Sequence, residues 1–483
     1  MMRVDLAVVG AGPAGLAAAA EAVTHGMTVA LIDDNARPGG QYFRHVPPSF
    51  RRTAATAFDK DRARAEALFA ITRHPQVTYL PEATVWDVPE PLTLAVAAGP
   101  RSGQVEAGAI VVAAGAHDRP VPFPGWTLPG VVSAGGVQNL IKGFRLVPGT
   151  RAAVAGNGPL LFLIGASLLR AGVAVAAVVE AAPIDRRLPA ALPQLLAAPE
   201  ILQQALDYRW ALLRAGVPVL TGWAPVNAEG EDAVRAVQAA PIAEDGSVDR
   251  ARARSFDCDL LVVGFGLVPS VELLRLAGAG LRFDRRRGGW LPERDEALET
   301  TRRNIFAAGD GTGIGGVELA LIEGRRAAVE AAVQLSRIAP FAADEIRAGL
   351  RRRWKRLDRF RRGIEALFAP PKDFLALQTP QTVLCRCEEV TRQEIEERRA
   401  EGFRGAVQLK STTRMGMGRC QGRNCMATLA ALVAADSGAS ESAVALPKAR
   451  APARPIPIGD LLHETIPPPD LPADPHLPRK RRT

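Results

Sequence analysis

The feature that most constrains this chain is a repeat. An apolar run to Val9 leads into Gly10-Ala11-Gly12-Pro13-Ala14-Gly15, then an alanine-rich stretch to Thr24, then Val29-Ala30-Leu31-Ile32-Asp33. A second copy runs through Ala152-Ala153-Val154-Ala155, Gly156-Asn157-Gly158, a long apolar stretch ending near Gly172, and Val173 to Glu180. Gly10, Gly12 and Gly26 match Gly156, Gly158 and Gly172 at one constant offset, so a strand, a glycine turn, a helix and a second strand occur twice. Parallel strands joined by a crossover helix are what such a unit forms. The predicted class is therefore α/β, with two Rossmann-like dinucleotide-binding domains.

At 483 residues the chain exceeds what one hydrophobic core can serve. The first nucleotide domain is expected in two parts, 1–125 and 271–335, with the second, 126–270, inserted between them. Short β-like runs at Val77-Thr78-Tyr79-Leu80, Thr84-Val85-Trp86 and Leu92 to Val96 suggest a small antiparallel insert. Leu260 to Gly264 is a buried-strand candidate closing the second domain, and Thr300 to Ala308 returns the chain to the first. A connector, 336–378, holds an amphipathic basic helix at Arg347 to Arg362 whose charges are expected to face water. It ends before Ala369-Pro370-Pro371. A small α-rich module, 379–435, and a Pro-rich tail, 436–483, expected to be extended, complete the chain.

The Lys and Arg residues behind the net charge of +9 are spread along the length, so a nucleic-acid-binding stripe is not indicated. The apolar start is interrupted by Gly10 to Pro13, and the run from Leu160 to Val179 is broken by Arg170, so neither a leader nor a transmembrane segment is read. A cytoplasmic location is expected.

The first glycine turn has the context of a dinucleotide site. Gly10 permits the turn, Gly12 lets backbone N–H groups approach a pyrophosphate, Pro13 and Ala14 open the helix whose N-terminus favours anions, and Gly15 lets helix and strand pack. Asp33 would hold the adenosine ribose. Gly39-Gly40-Gln41 follows the acid, Val111 to Gly115 forms a returning strand, and Thr300 to Asp310 ends in Gly309-Asp310. Together these resemble the FAD-binding fold of the glutathione and thioredoxin reductases, and the resemblance implies that Asp310 reaches the ribityl and pyrophosphate region. The second turn departs from the NAD fingerprint, with Leu161 at the third small position. Gly156, Gly158 and Glu180 could serve NAD(P), or the domain could bind another nucleotide or nothing.

A disulfide reductase is excluded, because neither nucleotide domain holds a cysteine pair and Cys258 stands alone. The other four cysteines gather as Cys385-Arg386-Cys387 and as Cys420 with Cys425. Four thiolates suit a [2Fe-2S] cluster, tetrahedral zinc or free thiols. The C-x-C spacing is unusual for zinc, and Arg386, Arg414, Arg419, Arg423 and nearby glycines suit an anionic cluster. Thr391-Arg392-Gln393-Glu394 reads as a capping box, and Cys425 precedes a further helix. The module resembles the [2Fe-2S] domain of bacterioferritin-associated ferredoxin, with a longer C-x4-C closure.

The order of these parts, with Val121 to Val131 and Thr413 to Gly418, resembles the large (α) chains of bacterial opine oxidases and hydroxyproline or proline dehydrogenases, and the related chain of hydrogen cyanide synthase. The resemblance implies a hetero-oligomer with FAD and a [2Fe-2S] cluster in this chain. It also implies an amino-acid-oxidase-like flavoprotein β subunit that oxidises the amine, and as a further candidate partner a small ferredoxin-like subunit. No catalytic acid–base set is read, and His117 beside Gly115 is expected to be a flavin-wall residue. The alternatives are an NAD(P)H-dependent reductase feeding the cysteine centre and a cyanide-forming chain that acts on glycine.

Overall fold

In the computed structural model, residues 1–46 and 62–462 are described. The basic end of the chain, Arg479 to Arg482, lies outside them. The first sheet follows from strict alternation. Leu6 and Val8 point to one core and Ala7 to the other, all fully buried. Its strand order is 77–80, 29–32, 2–9, 103–112, 93–97 and 84–90, with 305–307 pairing onto 103–112. The strand Val77–Leu80, expected in an antiparallel insert, instead runs parallel to Val29–Ile32. Its pairing partner is distant in sequence, so the local pattern of alternating apolar residues carried no information on direction. Only 84–90, 93–97 and 103–106 form the antiparallel meander.

One face of this sheet is covered by helices Pro13–Thr24 and Val317–Gln334, which cross so closely that a Cβ on Gly324 would lie 1.9 Å from the Ala14 carbonyl oxygen. The second sheet is fully parallel, in the order 219–221, 174–180, 151–156, 260–264 and 131–133. Helix Leu160–Arg170 packs on one of its faces through Leu161, Ile164 and Leu168. A three-stranded antiparallel sheet, 223–229, 236–241 and 254–257, covers the other. Strands 116–118 and 267–269 pair antiparallel where the chain passes between the two domains.

Helix Pro340–Leu367 binds these parts together. Leu350, Leu357, Phe360 and Leu367 are buried against Leu195, Leu319 and Ile322, which belong to helices of both nucleotide domains. Each such side chain contributes roughly 2 kcal/mol. Several of its cations do not simply face water: Arg347 bonds Glu330 at 2.6 Å, Arg356 bonds Glu200 at 2.8 Å, and Arg361 and Arg362 both bond the buried Asp358. The amphipathic pattern indicates the helix, but only the tertiary fold supplies the carboxylates.

The last module has its own core of Leu384, Val390, Ile395, Leu409, Met415, Leu429 and Leu432. Helix Arg392–Ala400 starts with a formed capping box, in which Glu394 accepts from the Thr391 N–H at 2.7 Å. The following segment stays on the body: Val444 is buried, Glu441 pairs with Arg285, and Arg454 pairs with Asp34.

Candidate flavin site and cysteine centre

Sequence-distant glycines converge at the first turn. A Cβ on Gly10 would sit 2.4 Å from the Ala113 oxygen, and one on Gly15 would sit 1.7 Å from the Gly10 oxygen, so only glycine lets strand, turn and helix pack here. Gly12 is different. Its missing side chain would meet nothing nearer than the Gly40 Cα at 3.9 Å, and Gly12 and Pro13 are half-buried. Gly12 caps helix Pro13–Thr24 without a side-chain hydrogen bond, leaving first-turn N–H groups for an anion. Gly309 abuts Ala14, and Gly311 abuts the Gly115 backbone. The fold thus gathers Gly10, Gly12, Pro13, Ala14, Gly15, Gly40, Gly115, Gly309 and Asp310 around one turn, while Gln41 is exposed at its edge.

Asp33 is buried behind that turn. Its carboxylate accepts from the Ala11 N–H at 2.5 Å and from the backbone and side chain of Asn35 at 2.7 and 2.8 Å. Burial pushes its pKa up against those donors. Asp310 Oδ1 accepts from the N–H groups of Gly315 and Gly316, both at 2.9 Å, and burial raises its pKa as well. Residues that the sequence reading missed support this motif. Buried Glu323 accepts from the Gly309 N–H at 3.0 Å and pairs with Arg294 at 2.7 Å. Its burial would raise its pKa, but Arg294 outweighs that and holds it down. Its signal in the sequence is a carboxylate on the otherwise small, apolar face of helix Val317–Gln334.

In the second turn, Glu180 is fully buried and accepts from Asn157 Nδ2 at 2.7 Å, the Gly158 N–H at 2.8 Å and the Ala182 N–H at 2.8 Å. Burial pushes its pKa up to about 7. Gly156 and Gly158 are buried with it.

The four C-terminal cysteines come together as two thiol pairs, Cys385 with Cys425 and Cys387 with Cys420. The first pair is buried and the second half-buried. Contact with Cys425 and backbone N–H groups of Gly416, Glu388 and Cys387 lower the Cys385 pKa to about 5, while the same contact raises that of Cys425. A Cβ on Gly418 would sit 2.3 Å from the Cys387 Cβ, so glycine allows that loop to close on the thiols. Among the described residues no three or more His, Cys, Asp or Glu side chains stand as a group that could hold a metal ion. Two pairs, not one cage, is the arrangement present. Arg423, inside the Cys420 to Cys425 loop, bonds Glu272 at 3.2 Å and the Cys420 carbonyl at 3.1 Å, and its own carbonyl meets His117 at 3.4 Å. Cys258 is a buried core thiol whose pKa is pushed up to about 11 by burial.

Comparison with known proteins agrees with this geometry. Residues 4–334 match the pyridine nucleotide-disulphide oxidoreductase family, and residues 379–463 match the sarcosine oxidase A3 domain. The large opine oxidase chain of Agrobacterium tumefaciens is 34% identical over 95% of this chain and 91% of its own length. The chain belongs to this opine oxidase family. It is an oxidoreductase subunit with the flavoprotein fold of that family. The hydrogen cyanide synthase subunit HcnB of Pseudomonas aeruginosa is a relative at 35% identity over 88% of this chain and 91% of its own. L-Proline dehydrogenase from P. horikoshii shares the fold, with a TM-score of 0.67 at 22% identity over 96% of this chain and 80% of that one. No helix among the described residues is long and apolar enough to cross a membrane.

Proposed function

We propose that this chain is the FAD- and [2Fe-2S]-bearing subunit of a cytoplasmic, hetero-oligomeric amine or amino-acid dehydrogenase of the opine or hydroxyproline/proline type. In that complex it would relay electrons from an amino-acid-oxidase-like flavoprotein β subunit to an acceptor, and a small ferredoxin-like subunit is a further partner. The observation that carries the reading is the gathering of four cysteines as two adjacent pairs in a loop joined to the flavin side through Arg423 and His117. A two-iron core takes two ligands per iron, so adjoining pairs suit it better than they suit one tetrahedral zinc ion. Cys385, Cys387, Cys420 and Cys425 would hold it. The N–H groups already directed at Cys385 would offset its negative charge.

On the flavin side, Gly12 and the open N-terminus of helix Pro13–Thr24 would take the pyrophosphate, and Asp310 the region beside it. Bound FAD exchanges two electrons and a cluster one at a time, which is the chemistry of a relay. The chain's own contribution is to bind, orient and shield both groups. No acid–base pair has been placed here to take an amine proton, so that step is assigned to the β subunit.

The experiment is co-purification with the product of a neighbouring flavoprotein gene, followed by iron, sulfide and flavin analysis and amine-dependent dye reduction. Activity should require both chains. Full amine oxidation by this chain alone, or a yellow but iron-free preparation, would overturn the relay. Cys387→Ser or Cys425→Ser should abolish the cluster absorption and leave the flavin, and unchanged iron content would refute the ligand set. The HcnB similarity supports a second reading, glycine oxidation to cyanide, which the same amine screen distinguishes.

A further inference from the structure

The two glycine turns of the repeat differ in what covers them. The acids alone do not separate them, since Asp33 and Glu180 each take three internal donors. The first turn is half-exposed at Gly12 and Pro13. The second is buried from Gly156 to Gly158, and the end of helix Pro340–Leu367 lies over it. There, Asn157 Nδ2 donates to the Phe368 carbonyl at 3.3 Å, and the Phe368 ring meets that of Phe162 edge-on at 6.1 Å. Arg187 Nη1 fixes the next carbonyl, Ala369, at 2.6 Å, and the Lys372 N–H bonds the Glu244 carbonyl at 2.8 Å.

This cover is electrostatically the reverse of a phosphate site. A dinucleotide's pyrophosphate needs free N–H groups and a positive helix end, whereas the cover presents carbonyls from a helix C-terminus, the negative end of the dipole. The Gly158 N–H that would face the phosphate is spent on Glu180. Leu161, fully buried, fills the position where a small residue would let helix and turn close around a ligand. A Cβ on Gly158 would still meet nothing within 4 Å, so the segment is a cap over the turn and not a filling of it.

We infer that Phe368 and Ala369 are a built-in cap on the second nucleotide-type domain, and that this domain does not take NAD(P)H or another dinucleotide. The cap stands whether or not the chain carries iron. Its consequence, that reducing equivalents enter from a protein partner and not from a nicotinamide, rests on the relay proposed above.

The test uses the purified holo chain, titrated with NADH and with NADPH by calorimetry and by anaerobic flavin absorbance. Hydrogen exchange is followed over 156–161 in the wild type and in Phe368→Gly, Phe368→Leu and Asn157→Ala. The expected result is no binding heat and no flavin bleaching at millimolar nicotinamide in the wild type. Exchange in the turn should be about tenfold faster in Phe368→Gly and Asn157→Ala, and restored in Phe368→Leu. If Phe368→Gly does not retain its flavin, Asn157→Ala carries the exchange arm. Micromolar binding of either nicotinamide, or unchanged exchange in the opening variants, would overturn the cap. Absence of iron would sink the relay while leaving both results intact.

Discussion

His117 Nε2 lies 3.4 Å from the carbonyl oxygen of Arg423, which ties the strand next to Gly115 to the loop between Cys420 and Cys425. A carbonyl only accepts, so this nitrogen carries the proton. The other, Nδ1, is buried without a partner. Burial lowers the pKa of the ring, against the opposing pull of Glu272 and Asp118 and with the help of Arg423.

His117→Ala should therefore loosen the joint without dismantling either side. The bond is long, so its loss is expected to cost about 1 kcal/mol. Faster hydrogen exchange over 420–425, with exchange in the second nucleotide domain unchanged, is the expected signature. An unaltered cysteine loop would show that Arg423 and Glu272 hold the joint by themselves.

Gly12→Val tests the first turn. The new side chain has room in the protein, since the nearest atom to its Cβ is 3.9 Å away, so folding should be affected by less than about 1 kcal/mol. It would stand where backbone N–H groups approach a phosphate, and flavin content after purification should fall more than about tenfold. Stoichiometric flavin in a well-folded variant would displace the cofactor from this turn.

What was legible in the sequence is what is local. Gly10, Gly12 and Gly15, the capping box at Thr391 and Glu394, and the four cysteines act through near neighbours or through spacing. Glu323 was not legible, because its partners Arg294 and Gly309 are brought to it only when strand Ile305–Ala307 joins the first sheet. The Phe368 carbonyl was invisible for the same reason: any residue type carries one, and only the course of the long helix decides where it points. The cations of that helix read as solvated for want of Glu330 and Glu200, which lie on other helices.

Glu323→Ala should be among the most damaging single changes in the flavin domain. It leaves the Arg294 guanidinium buried without its bidentate carboxylate and removes the acceptor of the Gly309 N–H. Breaking one side of a buried pair typically costs about 3–5 kcal/mol. Denaturant unfolding followed by flavin release measures it. Replacing Arg294 and Glu323 together by Met and Leu should recover most of the loss, because no orphaned charge then remains.

Glu180 gives a pH prediction with a definite sign. Its folded pKa, about 7, lies above the ordinary value of 4.5, so the folded state holds the proton more tightly than the unfolded one. Below about 4.5 both states are protonated and the group costs nothing. As pH rises from there to about 7 the unfolded state ionises first, and stability falls by up to about 3 kcal/mol, with no further loss above that range. Glu180→Gln does not ionise, so it should flatten this dependence. It should also carry a pH-independent cost of about 1–2 kcal/mol, because an amide offers one acceptor oxygen to the three donors Asn157, Gly158 and Ala182. Denaturant midpoints for both proteins at about pH 5 and pH 7.5, followed by exchange in the second domain, measure the two effects separately. A wild type equally stable at both values would mean that Glu180 is already ionised in its buried site, held so by those three donors and Arg187.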